Sequence, residues 1–335
     1  MMRAAAAVMT GVLPDEAQAE WRELENKLHA FEWFSLAGPR LGLDAAAPAP
    51  LARPAARAEA LPDAYTGLWA MEGLGYAGAG GAGAVPGGDR LGGLPARAAV
   101  PLSTGAALAA AERLLAGVGM GERGEGETVE PGRWLERCRD DAGPGFAELA
   151  AEALGLVART LHPWRLRGLD ELLAAADPAL ADYLWHGAGR GLYFAPMHLL
   201  PWSGGCRRAF AKARSEPPHE AGRRNATAGL AWAVTLVNVR SPEVAEVSLA
   251  GCGEEPDVEQ AVANGVSSAL LVWRQWAGED RLLDRFLAHR PPTAERAQRW
   301  RRRVVEPCRA AIAASPAEPL RGGRLAALFR YEVAS

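Results

Sequence analysis

Apolar residues recur at three- and four-residue steps through most of this chain, and that spacing predicts helices. Between residues 15 and 36, Trp21, Leu24, Leu28, Phe31 and Phe34 share one face, and Gly38-Pro39 is expected to end the helix. Pro101 to Ala116 reads as a second helix, with Ser103 or Thr104 able to cap it. The pattern resumes at Phe146, Leu149, Leu154 and Val157, and again from Leu169 to Leu173. Asp177-Pro178 places a proline at a helix start and leads into Leu180, Tyr183 and Leu184. Asn225 to Val239, Val258 to Trp276 and Arg281 to His289 are further helices, and Ala294 to Ala314 adds one broken at Pro307. Strand-like alternation is confined to Val244 to Leu249. The fold class predicted is mainly α, a helical globular fold with Gly-rich loops.

The connections are marked by composition. Leu43 to Leu61 is dominated by Ala and Pro and reads as a surface connection, and Gly78 to Gly93 is too poor in large side chains to pack and reads as loop. Two Gly-aromatic segments read as turns: Glu72-Gly73-Leu74-Gly75-Tyr76-Ala77, and Trp185-His186-Gly187-Ala188-Gly189-Arg190-Gly191-Leu192-Tyr193-Phe194. Each leads after a loop to an apolar, Gly-containing helix, at Ser103-Thr104-Gly105 and at Ala226-Thr227-Ala228-Gly229. That echo is either an ancient duplication or a coincidence in a Gly/Ala-rich chain. A duplication divides the chain into residues 1–60, a half-repeat at 61–150 and a second at 151–335, within one compact domain or two, with a cleft between the aromatic segments.

Composition narrows the function classes. A hydrophobic fraction of 49% with 23% charged residues is that of a globular protein. A net charge of −3 gives no field that would gather nucleic acid or an anionic membrane, and no run reaches the roughly 18 apolar residues a spanning helix needs. The first residues only faintly mimic a signal peptide, because Asp15-Glu16 interrupts the approach to Ala17-Gln18-Ala19, and a cytoplasmic location is expected. All but two of the 37 basic residues are arginine, the exceptions being Lys27 and Lys212, as in a GC-rich genome. Arg301 to Arg303 and Arg223-Arg224 accordingly read as solvated faces or helix-end charges. Cys138, Cys206, Cys252 and Cys308 form no C-x-x-C and read as reduced thiols.

Candidate chemistry gathers between Asp182 and Arg240. His186, Arg190 and Tyr193 lie beside Trp185 and Phe194, polar groups among apolar walls that suit a small-molecule pocket; these three are the catalytic candidates expected to orient or protonate a ligand, with Glu72 facing them from the first half. His198, Trp202, Asn225, Trp232 and Asn238 are further binding candidates; Asn225 and Asn264, near helix starts, also suit a capping role, whereas Asn238 does not. The histidines lack the i, i+4 spacing of a helical metal pair, and neither a metal nor a cofactor is expected. Gly73 to Gly78 satisfies G-x-G-x-x-G literally but lacks the preceding strand of a dinucleotide site. The glycines read instead as points of close helix approach or of positive φ.

Three segments resemble a family of bacterial proteins of unknown function that accompany the iterative polyketide synthase of enediyne antibiotic gene clusters. They are Gly187 to Pro196, Asn225 to Asn238 and Ala263-Asn264-Gly265-Val266-Ser267-Ser268-Ala269-Leu270, and Met71 to Ala77 is similar to that family's first Glu-Gly-x-Gly segment. The resemblance runs from about Tyr65 to Leu287 and implies an accessory protein that binds a long polyene or an intermediate derived from it. The family brings no catalytic residues to carry over. Two other classes stay open: a non-catalytic partner of the synthase or of a maturation enzyme, and an unrelated hydrolase or isomerase.

Overall fold

In a computed structural model, residues 15–44, 51–79, 94, 96–117, 133, 135–136, 146–195, 204–278, 280–315 and 329–330 are described, and every regular element among them is helical. The helices are α1 (Asp15–Leu41), α2 (Ala52–Glu59), α3 (Ala64–Gly78), α4 (Ala99–Gly117), α5 (Phe146–Leu161), α6 (Leu166–Ala176), α7 (Pro178–Phe194), α8 (Gly205–Ser215), α9 (Glu220–Val237), α10 (Pro242–Ala250), α11 (Pro256–Ala277), α12 (Arg281–Leu287), α13 (Ala294–Trp300) and α14 (Glu306–Ala314). None of them is long and apolar enough to cross a membrane.

Local chemistry explains where several boundaries depart from the sequence pattern. Pro39 lies inside α1, where it removes one backbone donor near the end of the helix. The helix stops instead at Gly42, whose φ of 69° allows Leu43 N to donate back to Gly38 O at 2.9 Å. The Ala/Pro segment holds α2, with Pro54, Ala55 and Ala58 buried, so its small residues pack instead of merely connecting. Val244 to Leu249 belongs to α10 and is not a strand. Ser103 and Thr104 do not cap α4, because it begins at Ala99; Thr104 donates to Val100 O from inside the helix. The last helical stretch widens into a π turn at Arg301–Val305, and Pro307 opens α14. A proline at 307 offers no N–H to the carbonyl of Arg303 and its ring crowds that carbonyl, which the wider turn relieves. The Gly tract beyond Ala79 lies outside the described residues.

Both Gly-aromatic segments are helix interior, in α3 and α7, and not turns. Among the described glycines positive φ occurs at Gly42, Gly204, Gly253 and Gly278 and not in either segment, which leaves close approach as the role of the segment glycines.

The chain divides into two compact units, the cut falling within α1 after Phe31 and within α7 after Ala188. One unit is built from Glu32–Ala188. Its α3 is buried without interruption from Tyr65 to Gly75, which a helix tolerates only when neighbours cover it on all sides. A Cβ at Gly75 would collide with Leu102 O of α4, and one at Gly105 would collide with Glu72 O of α3. The same reciprocal contact joins α5 to α7, where Gly155 meets Leu184 O and Gly187 meets Glu152 O. Tyr76, packed on Ala79, Ala106 and Ala109, donates its hydroxyl to Glu112.

The other unit takes residues up to Phe31, those from Gly189 to Glu318, and Phe329. Here α9 is buried from Asn225 to Val237. Gly189 of α7 meets Ala226 O of α9, and Gly265 of α11 meets Ala228 O of α9. Arg303 is not a solvated charge: it is buried and donates to Gly253 O and to Glu259, while Arg301 and Arg302 stay exposed.

Two outcomes test this packing. Gly105→Ala must push two peptide backbones apart and is expected to lower unfolding free energy by about 1–3 kcal/mol or more, whereas Gly168→Ala, on the open face of α6, should raise it by about 0.5–1 kcal/mol; urea denaturation of both variants checks the contrast. Burial and the hydrogen bond to Glu112 raise the Tyr76 phenol from 10.0 to about 12. The folded chain then holds this proton where the unfolded chain releases it, so stability is complete below pH 10.0 and falls as pH rises toward about 12. Melting temperature against pH should show that decline, and Tyr76→Phe should flatten it.

Candidate functional site

Helix α7 distributes the sequence candidates over both units. In the unit of Glu32–Ala188, His186 is fully buried with its Nδ1 3.3 Å from Glu152 Oε1, and Trp185 Nε1 donates to Asp170 Oδ1 at 2.8 Å. Glu72 is buried in the same unit. Trp185 Nε1 and His186 Nδ1 are thus each met by a carboxylate on a neighbouring helix, α6 and α5 respectively.

In the other unit, Arg190 is 1% exposed, and its guanidinium lies 4.2 Å from the Trp232 ring and 5.7 Å from that of Phe329. The two rings themselves stack at 5.5 Å. A planar, weakly hydrated cation tolerates such a setting better than an ammonium would. Phe194 meets Phe31 edge to face at 5.3 Å. Asn225 does not cap a helix: its amide donates to Ala221 O at 2.9 Å, and His219 caps α9 by accepting from Gly222 N. Asn264 likewise sits within α11, where its Oδ1 accepts from Gln260. His198 and Trp202 lie outside the described residues.

The densest polar arrangement in this unit runs through Tyr193 and Asn238 and draws on five helices. Asn238 Nδ2 donates to Tyr193 Oη at 2.8 Å and to Val234 O at 2.8 Å. Its Oδ1 accepts from Asn26 Nδ2 at 2.9 Å, and Asn26 Oδ1 accepts in turn from Arg240 Nε at 3.0 Å. The Tyr193 hydroxyl donates to Glu23, and Lys27 Nζ lies 3.2 Å from Glu23 Oε1 and 3.8 Å from the centre of the Tyr193 ring. Cys206 Sγ donates to the same Glu23 Oε1 at 3.1 Å, and Ser248 hydrogen-bonds to the thiol. Glu23 is therefore the hub: one carboxylate gathers an ammonium, a phenol and a thiol.

The electrostatics follow from that hub. Burial, then the Glu23 carboxylate and the Cys206 thiol, push the Tyr193 phenol well above its ordinary range, so it is a hydrogen-bond donor at neutral pH. Burial and Glu23 push the Cys206 thiol upward in the same way, against the opposing pull of Lys27. A thiol, a carboxylate within hydrogen-bond reach of it and a cation fixing that carboxylate are the parts of an activated nucleophile.

Sequence reasoning reached Tyr193 and Asn238 and missed Glu23, Asn26, Lys27 and Cys206. A usable signal was present: in a chain whose cations are almost all arginine, Lys27 stands on an amphipathic helix one turn after Glu23, and it is 2% exposed. The asparagine pair supplies the test. Asn26→Ala and Asn238→Ala each leave buried partners unsatisfied and should cost about 1–3 kcal/mol. The double variant should cost less than the sum by about 0.5–3 kcal/mol, read from a double-mutant cycle in urea.

No family model, curated protein or solved structure matches this chain, so the geometry of these buried groups and the short segments of α7, α9 and α11 carry the functional argument.

Proposed function

We propose that this chain is an accessory protein of enediyne polyketide antibiotic biosynthesis that binds an apolar, polyene-derived intermediate in the unit containing α9. The observation that carries the reading is the buried Arg190 on the Trp232 and Phe329 rings, one turn of α7 before the Tyr193–Asn238 hydrogen bond. Flat aromatic faces accept a conjugated chain, while a fixed guanidinium and a neutral phenol orient its polar end. Three of the segments that resemble the enediyne-cluster family fall largely in this unit, Gly189 onward in α7, Asn225 to Asn238 on and just after α9, and Ala263 to Leu270 in α11, while Met71 to Ala77 belongs to α3 of the other unit. They include the glycine contacts at Gly189 and Gly265 that bring these three helices together.

The chain purified from a host that co-expresses the polyketide synthase should show a native mass above its denatured mass, with the excess absorbing as a conjugated polyene. Arg190→Met should retain the helical circular dichroism and lose most of that excess. A native mass equal to the denatured one overturns the reading and favours a non-catalytic partner of the synthase, to be sought by co-purification.

A further inference from the structure

Cys206 is set apart from the other described thiols. Cys252 and Cys308 are completely buried; burial raises the Cys308 thiol to about 12, and Cys308 accepts from Ser267 Oγ at 3.7 Å. Cys206 is partly accessible, and its sulfur lies between two oriented groups, donating to Glu23 and bonded to Ser248. Glu23 is itself held by Lys27 at 3.2 Å, and Lys27 is held over the Tyr193 ring. Gly204, with φ of 60°, turns the chain into α8, so Cys206 stands in the first helical turn. The amides of Gly205, Cys206 and Arg207 have no carbonyl four residues back within that helix.

We propose that Cys206 is an acyl-accepting nucleophile that takes an acyl group from a thioester, with Glu23 as the base. Glu23 removes the thiol proton as the sulfur attacks the carbonyl carbon, and the oxygen that becomes negative is received by the first-turn amides of α8. The tetrahedral adduct then collapses: the bond to the donor's sulfur breaks, and the departing thiolate takes the proton back from Glu23. One carbon–sulfur bond forms and one breaks, with no net change in protons and no oxidant or reductant. The donor class follows from the nucleophile, since thiol-for-thiol exchange is nearly thermoneutral and a thiolate leaves without a strong acid. An ester or amide would need a proton donor at its leaving group stronger than this cluster supplies. Lys27 and Tyr193 position and hold the Glu23 carboxylate. The proposal stands independently of the polyene reading, because acylation by a simple thioester requires no bound polyene.

The test incubates the full-length protein with the N-acetylcysteamine thioester of octanoic acid and follows intact mass, with peptide mapping of the adduct. One octanoyl group should appear on Cys206, none on Cys252 or Cys308, and none in Cys206→Ala. For wild type, the acylation rate should level off through the neutral range, as proton removal by a carboxylate base requires. An unaided thiol would instead accelerate about tenfold per pH unit toward its raised pKa. Glu23→Gln should slow acylation by about tenfold or more at neutral pH. No adduct at Cys206, a wild-type rate that climbs without levelling, or a Glu23→Gln variant that reacts as fast or faster overturns the proposal; the last result would make Glu23 only a charge that suppresses the thiol. The pH profile needs no variant, so it decides the matter even if Glu23→Gln fails to fold.

Discussion

Direct contact between helix backbones, made where glycine leaves no side chain between them, is the constraint from which this structure is built. At Gly75 with Gly105, and at Gly155 with Gly187, each helix of a pair presses its glycine onto a carbonyl of the other, so neither backbone can shift without opening a gap on its own surface. Helices that approach this closely suit a core in which alanine is the commonest buried apolar residue. Large and polar side chains buried beside these contacts are then drawn into shared places. Arg190 stacks on Trp232 because α7 and α9 meet at Gly189. Tyr193, one turn further along α7, reaches Asn238 just beyond the end of α9.

Helices were legible in the sequence because their signal is local. The 3.6-residue period in α5, α9 and α11 survives any tertiary context. What failed depended on where the backbone's donors and acceptors go. Pro39 suggests an end, yet near the C-terminus of a helix it costs one bond, and the Gly42 cap four residues on from Gly38 decides the matter. A short run such as Val244 to Leu249 has too few residues to separate period two from period 3.6, and Ser241-Pro242 starts a helix there. Glycines in α3 and α7 resemble turn residues until a neighbouring carbonyl explains them. That explanation lies on another helix.

The same distinction governs the site. Tyr193 and Asn238 could be singled out because a phenol and an amide in apolar segments require partners wherever the fold puts them. Glu23 and Cys206 could not, since neither is unusual in its own stretch and the hydrogen bond between them joins residues 183 positions apart. Asn225 shows the converse: an amide that looked available is satisfied by the carbonyl one turn before it. Arg303 was misread for a related reason, because the π turn ahead of Pro307 carries its side chain inward to Gly253 and Glu259.

Lys27 is held at both ends of its short reach, against a carboxylate and over an aromatic ring. A guanidinium in its place would bring a planar fork longer and wider than an ammonium, with five donors to satisfy where three now suffice. Position 27, in a chain where arginine supplies nearly all the basic residues, is therefore shaped for the smaller cation.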